Sequence, residues 1–223
     1  IYEHAGVRQL IYWDPKALRS LNPQTGEVYW EIPMECMHAM SIATPVKSGN
    51  KLLVSCFYSG SMLVELDDNV PAAKKLWHVQ GAGERPQQTL GLHSVITTPI
   101  IEGDYFYGTC SYGEFRGLEL KTSERLWEDD SLTRQGRWGS AFLVAHQDRY
   151  FMMNDVGELL IVKFTPDGAE EIDRTSLIDP DTESGFGPRR FANSIVNWCH
   201  PAFANKHVII RNDHEIIRVS LGK

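Results

Sequence analysis

Short apolar runs alternate with Gly-, Asn- and Asp-containing turns along the whole chain. Leu10-Ile11-Tyr12, Tyr150-Phe151-Met152 and Val208-Ile209-Ile210 are such runs. Each is followed by a turn and then a second run, the pattern of a β-hairpin. Val, Ile, Tyr and Phe fill the runs, and these side chains suit a half-buried pleated surface. A third segment closes three of the units: Val28-Tyr29-Trp30, Leu76-Trp77 and Leu126-Trp127. One more short strand is predicted before each hairpin, as over residues 41–47 and 95–102. No segment carries a long helical pattern. Residues 71–75 and 175–178 are the candidates for single helical turns.

The units repeat. Thr44-Pro45-Val46 recurs as Thr98-Pro99-Ile100, and the same ungapped offset takes Cys56 to Cys110, Tyr58 to Tyr112 and Leu66 to Leu120. A second ungapped match takes Asp104 to Asp148, Gly113-Glu114 to Gly157-Glu158 and Leu120 to Phe164. Four strands per unit, at a period of roughly 40 to 55 residues, predict the blades of a β-propeller. The fold class is therefore all-β: four-stranded antiparallel blades, about four and a half of them, at residues 1–36, 37–80, 91–132, 137–176 and 195–223. Trp30, Trp77 and Trp127 share one place in the repeat, near the outer strand. They are expected to wedge between neighbouring blades, where a Trp buries on the order of 200 Å2. The strands after Pro45, Pro99 and Pro201 are expected to be innermost.

The segment from Leu18 through Asn22-Pro23-Gln24-Thr25-Gly26 to Trp30 resembles the blade signature of the PQQ-like, or quinoprotein-like, propeller repeat. Residues 117–127 look like a shortened copy. Arg137 to Leu143, Gly168 to Ile172 and His200 to Ala204 are similar to bacterial PQQ-binding-like propeller proteins of planctomycete type. That repeat family includes the quinoprotein alcohol dehydrogenases and the propeller lipoprotein of outer-membrane protein assembly. The resemblance implies eight blades in a full ring, of which this chain would be the C-terminal half. It also implies an exported protein, periplasmic or extracellular. It is specific for the fold and weak for the activity, because one fold hosts many functions.

Composition narrows the partners. The 223 residues are 42% hydrophobic and 23% charged, with a net charge of -7 and no basic run. A nucleic-acid groove, which must neutralise phosphates, is not expected. No apolar stretch is long enough for a spanning helix. The chain begins at Ile1 without an initiator Met, so its start reads as cut, and the missing signal peptide leaves the address open. Cys36, Cys56, Cys110 and Cys199 are scattered, with no C-x-x-C pair for a zinc knuckle. They read as buried or half-buried thiols.

Candidate chemistry is sparse. There is no Gly-x-Ser-x-Gly elbow, P-loop or His-Glu-x-x-His motif. PQQ dehydrogenases of the resembling family add a calcium cage and often a pair of adjacent cysteines. Neither pattern stands out, and the acidic loops read as solvated. No catalytic residue, metal site or cofactor is predicted. The alternative is a quinoprotein oxidoreductase, with PQQ and calcium in a site shared with further blades. The favoured reading is a non-catalytic binding propeller whose channel mouth meets a protein, peptide or sugar, with self-association possible through open blade edges.

The repeat places His4, Met40, His93, Trp138 and His200 at the start of successive inner strands. His93, Arg137, Trp138, His200 and His4 are therefore the candidate ligand-binding residues, with residues 81–90 overhanging them. The competing reading is that each imidazole satisfies a local backbone group and the tryptophans are packed.

Overall fold

The computed structural model describes residues 1–184 and 195–222. Four antiparallel sheets of four strands follow one another, each pairing its strands in chain order. Blade 1 holds β1 (Tyr2–His4), β2 (Val7–Trp13), β3 (Ala17–Leu21) and β4 (Val28–Pro33). Blade 2 holds β5 (Val46–Ser48), β6 (Lys51–Cys56), β7 (Gly60–Leu66) and β8 (Ala73–Val79). Blade 3 holds β9 (Ile100–Glu102), β10 (Tyr105–Thr109), β11 (Phe115–Glu119) and β12 (Arg125–Asp129). Blade 4 holds β13 (Ala141–His146), β14 (Arg149–Asn154), β15 (Glu158–Thr165) and β16 (Gly168–Ser176). A short pair, β17 (Thr182–Glu183) and β18 (Ile195–Val196), precedes a three-stranded sheet. That fifth sheet holds β19 (Ala202–Ala204), β20 (His207–Arg211) and β21 (Ile216–Ser220). The blades do not close into a ring.

The strand period of two distributes the core among the blade interfaces. On β6, Leu52, Val54 and Cys56 join a cluster shared with blade 1, whereas Leu53 joins one shared with blade 3. On β14 and β15, Met152 and Leu160 pack toward blade 3, whereas Met153 and Leu159 pack toward the fifth sheet. Each inner blade is thus apolar on both faces. Just ahead of the first strands of blades 2 and 3, Thr44 N–H donates to Thr98 Oγ1 at 3.1 Å, so these equivalent positions of adjacent blades touch. These strands are shorter than expected, because residues 41–45 and 95–99 run without sheet pairing.

The outer strands share a β-bulge. The register slips beside Trp30, Trp77 and Trp127, which face Ser20, Leu63 and Gly117. The same slip occurs in blade 4, where Asp173 takes the place of the Trp opposite Ile161. The extra residue points outward, which accounts for exposed Leu76, Leu126 and Ile172. Trp77 and Trp127 reach the next blade, their Nε1–H groups donating to Leu120 O at 3.0 Å and Thr165 O at 2.9 Å. Trp30 differs, donating within its own blade to Gln9 Oε1 at 3.2 Å.

The two candidate helical turns are strand instead: residues 73–75 open β8 and residues 175–176 close β16. Ladder pairing to β7 and β15 outweighs the local turn propensity there. The one short helix among the described residues is the 3-10 turn Met37–Ala39. The Gly-, Pro- and Arg-containing stretch 179–191 also reads from its sequence as an irregular loop, and its residues 185–191 lie outside the described residues.

Candidate functional site

Antiparallel strands send alternate turns to opposite ends of each blade. One end carries the second turn of every blade and the connections between blades. Tyr58 and Tyr112 sit there, in the matching turns of blades 2 and 3. Gly60 (φ 70°) and Gly113 (φ 96°) supply the left-handed conformations those turns need. The connection into blade 4 docks on the blade 3 turn: Gly136 N–H donates to Tyr112 O at 2.8 Å and Trp138 N–H to Ser111 O at 2.9 Å. Trp138 takes φ 69°, an uncommon value for a bulky residue. The result aims Arg137 back at blade 2.

Arg137 Nη2 donates to Tyr58 Oη at 2.8 Å and to Glu84 Oε2 at 2.7 Å. Tyr112 Oη donates to the other Glu84 oxygen at 3.0 Å. The guanidinium lies 5.1 Å from the Trp138 ring centre and 5.5 Å from that of Phe57. Trp198 adds a further ring 6.3 Å from Trp138. Burial opposes the Arg137 charge, but Glu84 lifts its pKa above the ordinary arginine value. Burial and then Glu84 push the Tyr112 phenol up to about 12, so it stays a donor. Below this turn, burial raises the carboxyl of Glu114, whose Oε2 accepts the Tyr112 N–H at 3.1 Å.

The candidate residues fall in different places. Arg137 and Trp138 stand together in this cluster. His93 is fully buried beneath it. Its Nδ1 lies 2.8 Å from Phe57 O, and its Nε2 accepts the Gly81 N–H at 3.4 Å. That is a neutral imidazole tying two loops, and it opens to no ligand. His4 lies at the opposite end of the blades, 3.3 Å from Asp68 in the β7–β8 turn. His200 is exposed at the right end, with Nδ1 2.7 Å from Pro201 O and its ring 5.1 Å from Phe142. Met40 packs against the core between blades 1 and 2. The loop over 81–90 does border the cluster and brings Glu84. It is pinned by buried Arg116, whose Nη1 donates to Gly91 O at 2.8 Å and Nη2 to Pro86 O at 3.4 Å.

The sequence matches a family model described as outer membrane protein assembly factor BamB over residues 5–175. The chain belongs to this family. Among solved structures it is similar to BamB from Moraxella catarrhalis, with a TM-score of 0.60 and 13% identity over 95% of this chain and 55% of that one. It is also similar to the computationally designed Ika8 protein, with a TM-score of 0.55 and 10% identity over 92% of this chain and 53% of that one. At such identities these two likenesses are of fold. The chain spans about half the length of both. No curated protein matches it.

For a member of this propeller family the cluster offers recognition chemistry: a cation stacked on aromatic faces, two phenols and a carboxylate, gathered from adjacent blades. No group of three or more His, Cys, Asp or Glu placed to hold a metal ion occurs among the described residues. Tyr58, Tyr112 and Glu84 escaped the sequence reading as site residues. The signal was present in the repeat, which pairs Tyr58 with Tyr112. Their convergence on a third blade's Arg is a tertiary fact.

Proposed function

We propose that this BamB-family chain is a non-catalytic binding propeller that presents Tyr58, Glu84, Tyr112, Arg137 and Trp138 to a protein partner. The observation that carries this reading is the Arg137 contact set: of the equivalent tyrosines of two blades, Tyr58 accepts from Arg137 directly and Tyr112 is joined to it through Glu84. Tyr, Trp and Arg are the side chains that dominate protein interfaces, since each combines large contact area with a polar handle. A rigid propeller rim holds them with little ordering cost on binding. His200 and Trp198 border the same surface and extend it.

The family description supports a partner in outer-membrane protein assembly and an exported, periplasmic location for this chain. No helix of the described residues is long and apolar enough to cross a membrane. The reading requires no cofactor. Reconstitution with PQQ and calcium that yields a quinone chromophore and dye-linked alcohol oxidation would overturn it.

The direct test is site-specific photocrosslinking in the cell envelope. A benzophenone side chain at position 58 or 112 should give a discrete protein adduct, and one at position 121, at the other end of blade 3, should not. Arg137→Ala and Trp138→Ala should each reduce that adduct at least tenfold. Equal adducts from both ends would remove the site.

A further inference from the structure

Cys36 and Cys56 come from adjacent blades and are buried in one core cluster. Cys36 follows β4, and Cys56 is the last residue of β6. Strand alternation turns Cys56 toward blade 1, into the cluster that also holds Cys36. The backbone fixes them independently. Cys36 N–H donates to Pro15 O at 2.7 Å, which ties Cys36 to the β2–β3 turn. The next residue, Met37, donates its N–H to Ser59 Oγ at 3.3 Å. Ser59 belongs to the hairpin that closes on Cys56, where Cys56 pairs with Gly60. The Cys36 Sγ lies 4.0 Å from Met34 O, and the nearness of this sulfur is the strongest influence on the Cys56 thiol. With the Ser59 and Tyr58 backbone N–H groups, and against burial, this holds the Cys56 thiol below the usual thiol range. The same nearness, together with burial, pushes Cys36 up.

The repeat supplies a control. Cys110 is the counterpart of Cys56 in blade 3, equally buried, but its sulfur faces hydroxyls: Thr89 Oγ1 and Ser111 Oγ, both at 3.9 Å. Cys199 is half-buried beside its own backbone, with Sγ 3.9 Å from His200 O.

We propose that Cys36 and Cys56 are a disulfide-forming pair that locks blade 1 to blade 2 when the chain folds in the presence of a small-molecule or protein disulfide. Before the interface closes, the Cys56 thiolate attacks one sulfur of the oxidant and expels the other as a thiolate. The Cys36 thiolate then attacks Cys56 in the mixed disulfide and expels the second. Two S–H bonds and the oxidant's S–S bond break, and one S–S bond forms. The two protons end on the two thiols released. The closed loop is short, and cross-linking it restricts the unfolded chain.

The test is refolding of the reduced full chain in a buffer of oxidised and reduced glutathione, followed by alkylation, digestion and mass spectrometry. One linked peptide pair is expected, joining Cys36 to Cys56 and lighter by two hydrogens, with Cys110 and Cys199 alkylated. The thermal midpoint should rise by several degrees over the reduced protein. Where refolding yield is poor, the chain is instead opened partly in urea in the same glutathione buffer before alkylation. Alkylated Cys36 and Cys56 in the folded fraction would overturn the proposal. So would a trapped glutathione adduct, or a link through Cys110 or Cys199. The Cys110→Ser chain should keep the bond.

Discussion

Arg137 and Arg116 show how one residue type serves two ends. Arg137 is partly open at the blade end, where its guanidinium meets Glu84 and Tyr58. Arg116 is closed: its side chain is 0% exposed, and its Nε donates to Glu128 at 2.7 Å across the β11–β12 pair. It spends its remaining donors on the loop that carries Glu84, and so holds the site without facing it. His93 is a second buried polar anchor beside Arg116, and its titration is testable. Burial lowers its pKa from 6.5 to about 4, against the carbonyl of Phe57. The unfolded chain therefore takes up this proton as the pH falls below 6.5, and the folded chain does not until about 4. Stability from His93 is complete above pH 6.5, is lost across that window, and levels off below it. The loss amounts to about 3 kcal/mol. Urea unfolding of the wild type and His93→Gln at pH 7 and pH 4.5 checks it. The wild type should lose stability over this interval and the variant should lose much less. Parallel pH profiles would show that His93 does not stay neutral in the fold.

The outer-strand bulge is a feature of the element. It places Trp30, Trp77 and Trp127 at equal positions, yet survives in blade 4 with Asp173 there. The bulge is therefore a property of the backbone ladder, and the Trp is its usual filling. Blade 3 shows the tightest filling. The Trp127 ring covers Gly117 so closely that a Cβ on Gly117 would lie 2.3 Å from Cε2. That contact lets Trp127 stack near Tyr107 and Phe115, and reach Phe164 of blade 4 with ring centres 6.4 Å apart. Gly117→Val should expel the indole, break the Trp127–Thr165 bond and cost about 2 kcal/mol, as overpacking does. Equilibrium denaturation measures the cost, and near-ultraviolet circular dichroism reports the lost stacking. An unchanged aromatic spectrum would place Trp127 elsewhere.

At the scale of the molecule, interior and outward blades differ sharply. β6 and β7 are buried on both faces, whereas β2 and β21 each leave one side to solvent. Tyr12 and Val28 on blade 1 are each 50% exposed, and Ile216 on the fifth sheet is 71% exposed. Among the described residues β21 also has an unpaired outer edge. Open edges and apolar faces favour association, at about 25 cal/mol for each Å2 of apolar surface covered. The isolated 223-residue chain should sediment with a concentration-dependent coefficient, and Tyr12→Lys with Ile216→Lys should suppress it. A compact monomer at every concentration would show that these faces are covered some other way.

The periodicity of apolar runs was enough to read an all-β blade repeat, because strand alternation and turn chemistry act over a few neighbours and leave their mark in the chain itself. The Pro-led first strands and the shared Trp position were legible for the same reason. Pairwise chemistry across blades was not. His93 and His200 look alike in the repeat, but one is sealed under the blade 2 turn and the other is exposed, since burial depends on what the next blade lays over each position. His4 was placed one turn too generously: it closes the first strand instead of opening it, and strand reversal sends it to the other end. Glu84 and the two tyrosines converge only through Arg137, and Cys56 and Cys110, equivalent in the repeat, lie in different core clusters. Sequence specifies the blade through local interactions. The tertiary structure alone decides which side chains meet across an interface, because those partners are distant in sequence and share no pattern that local spacing can carry.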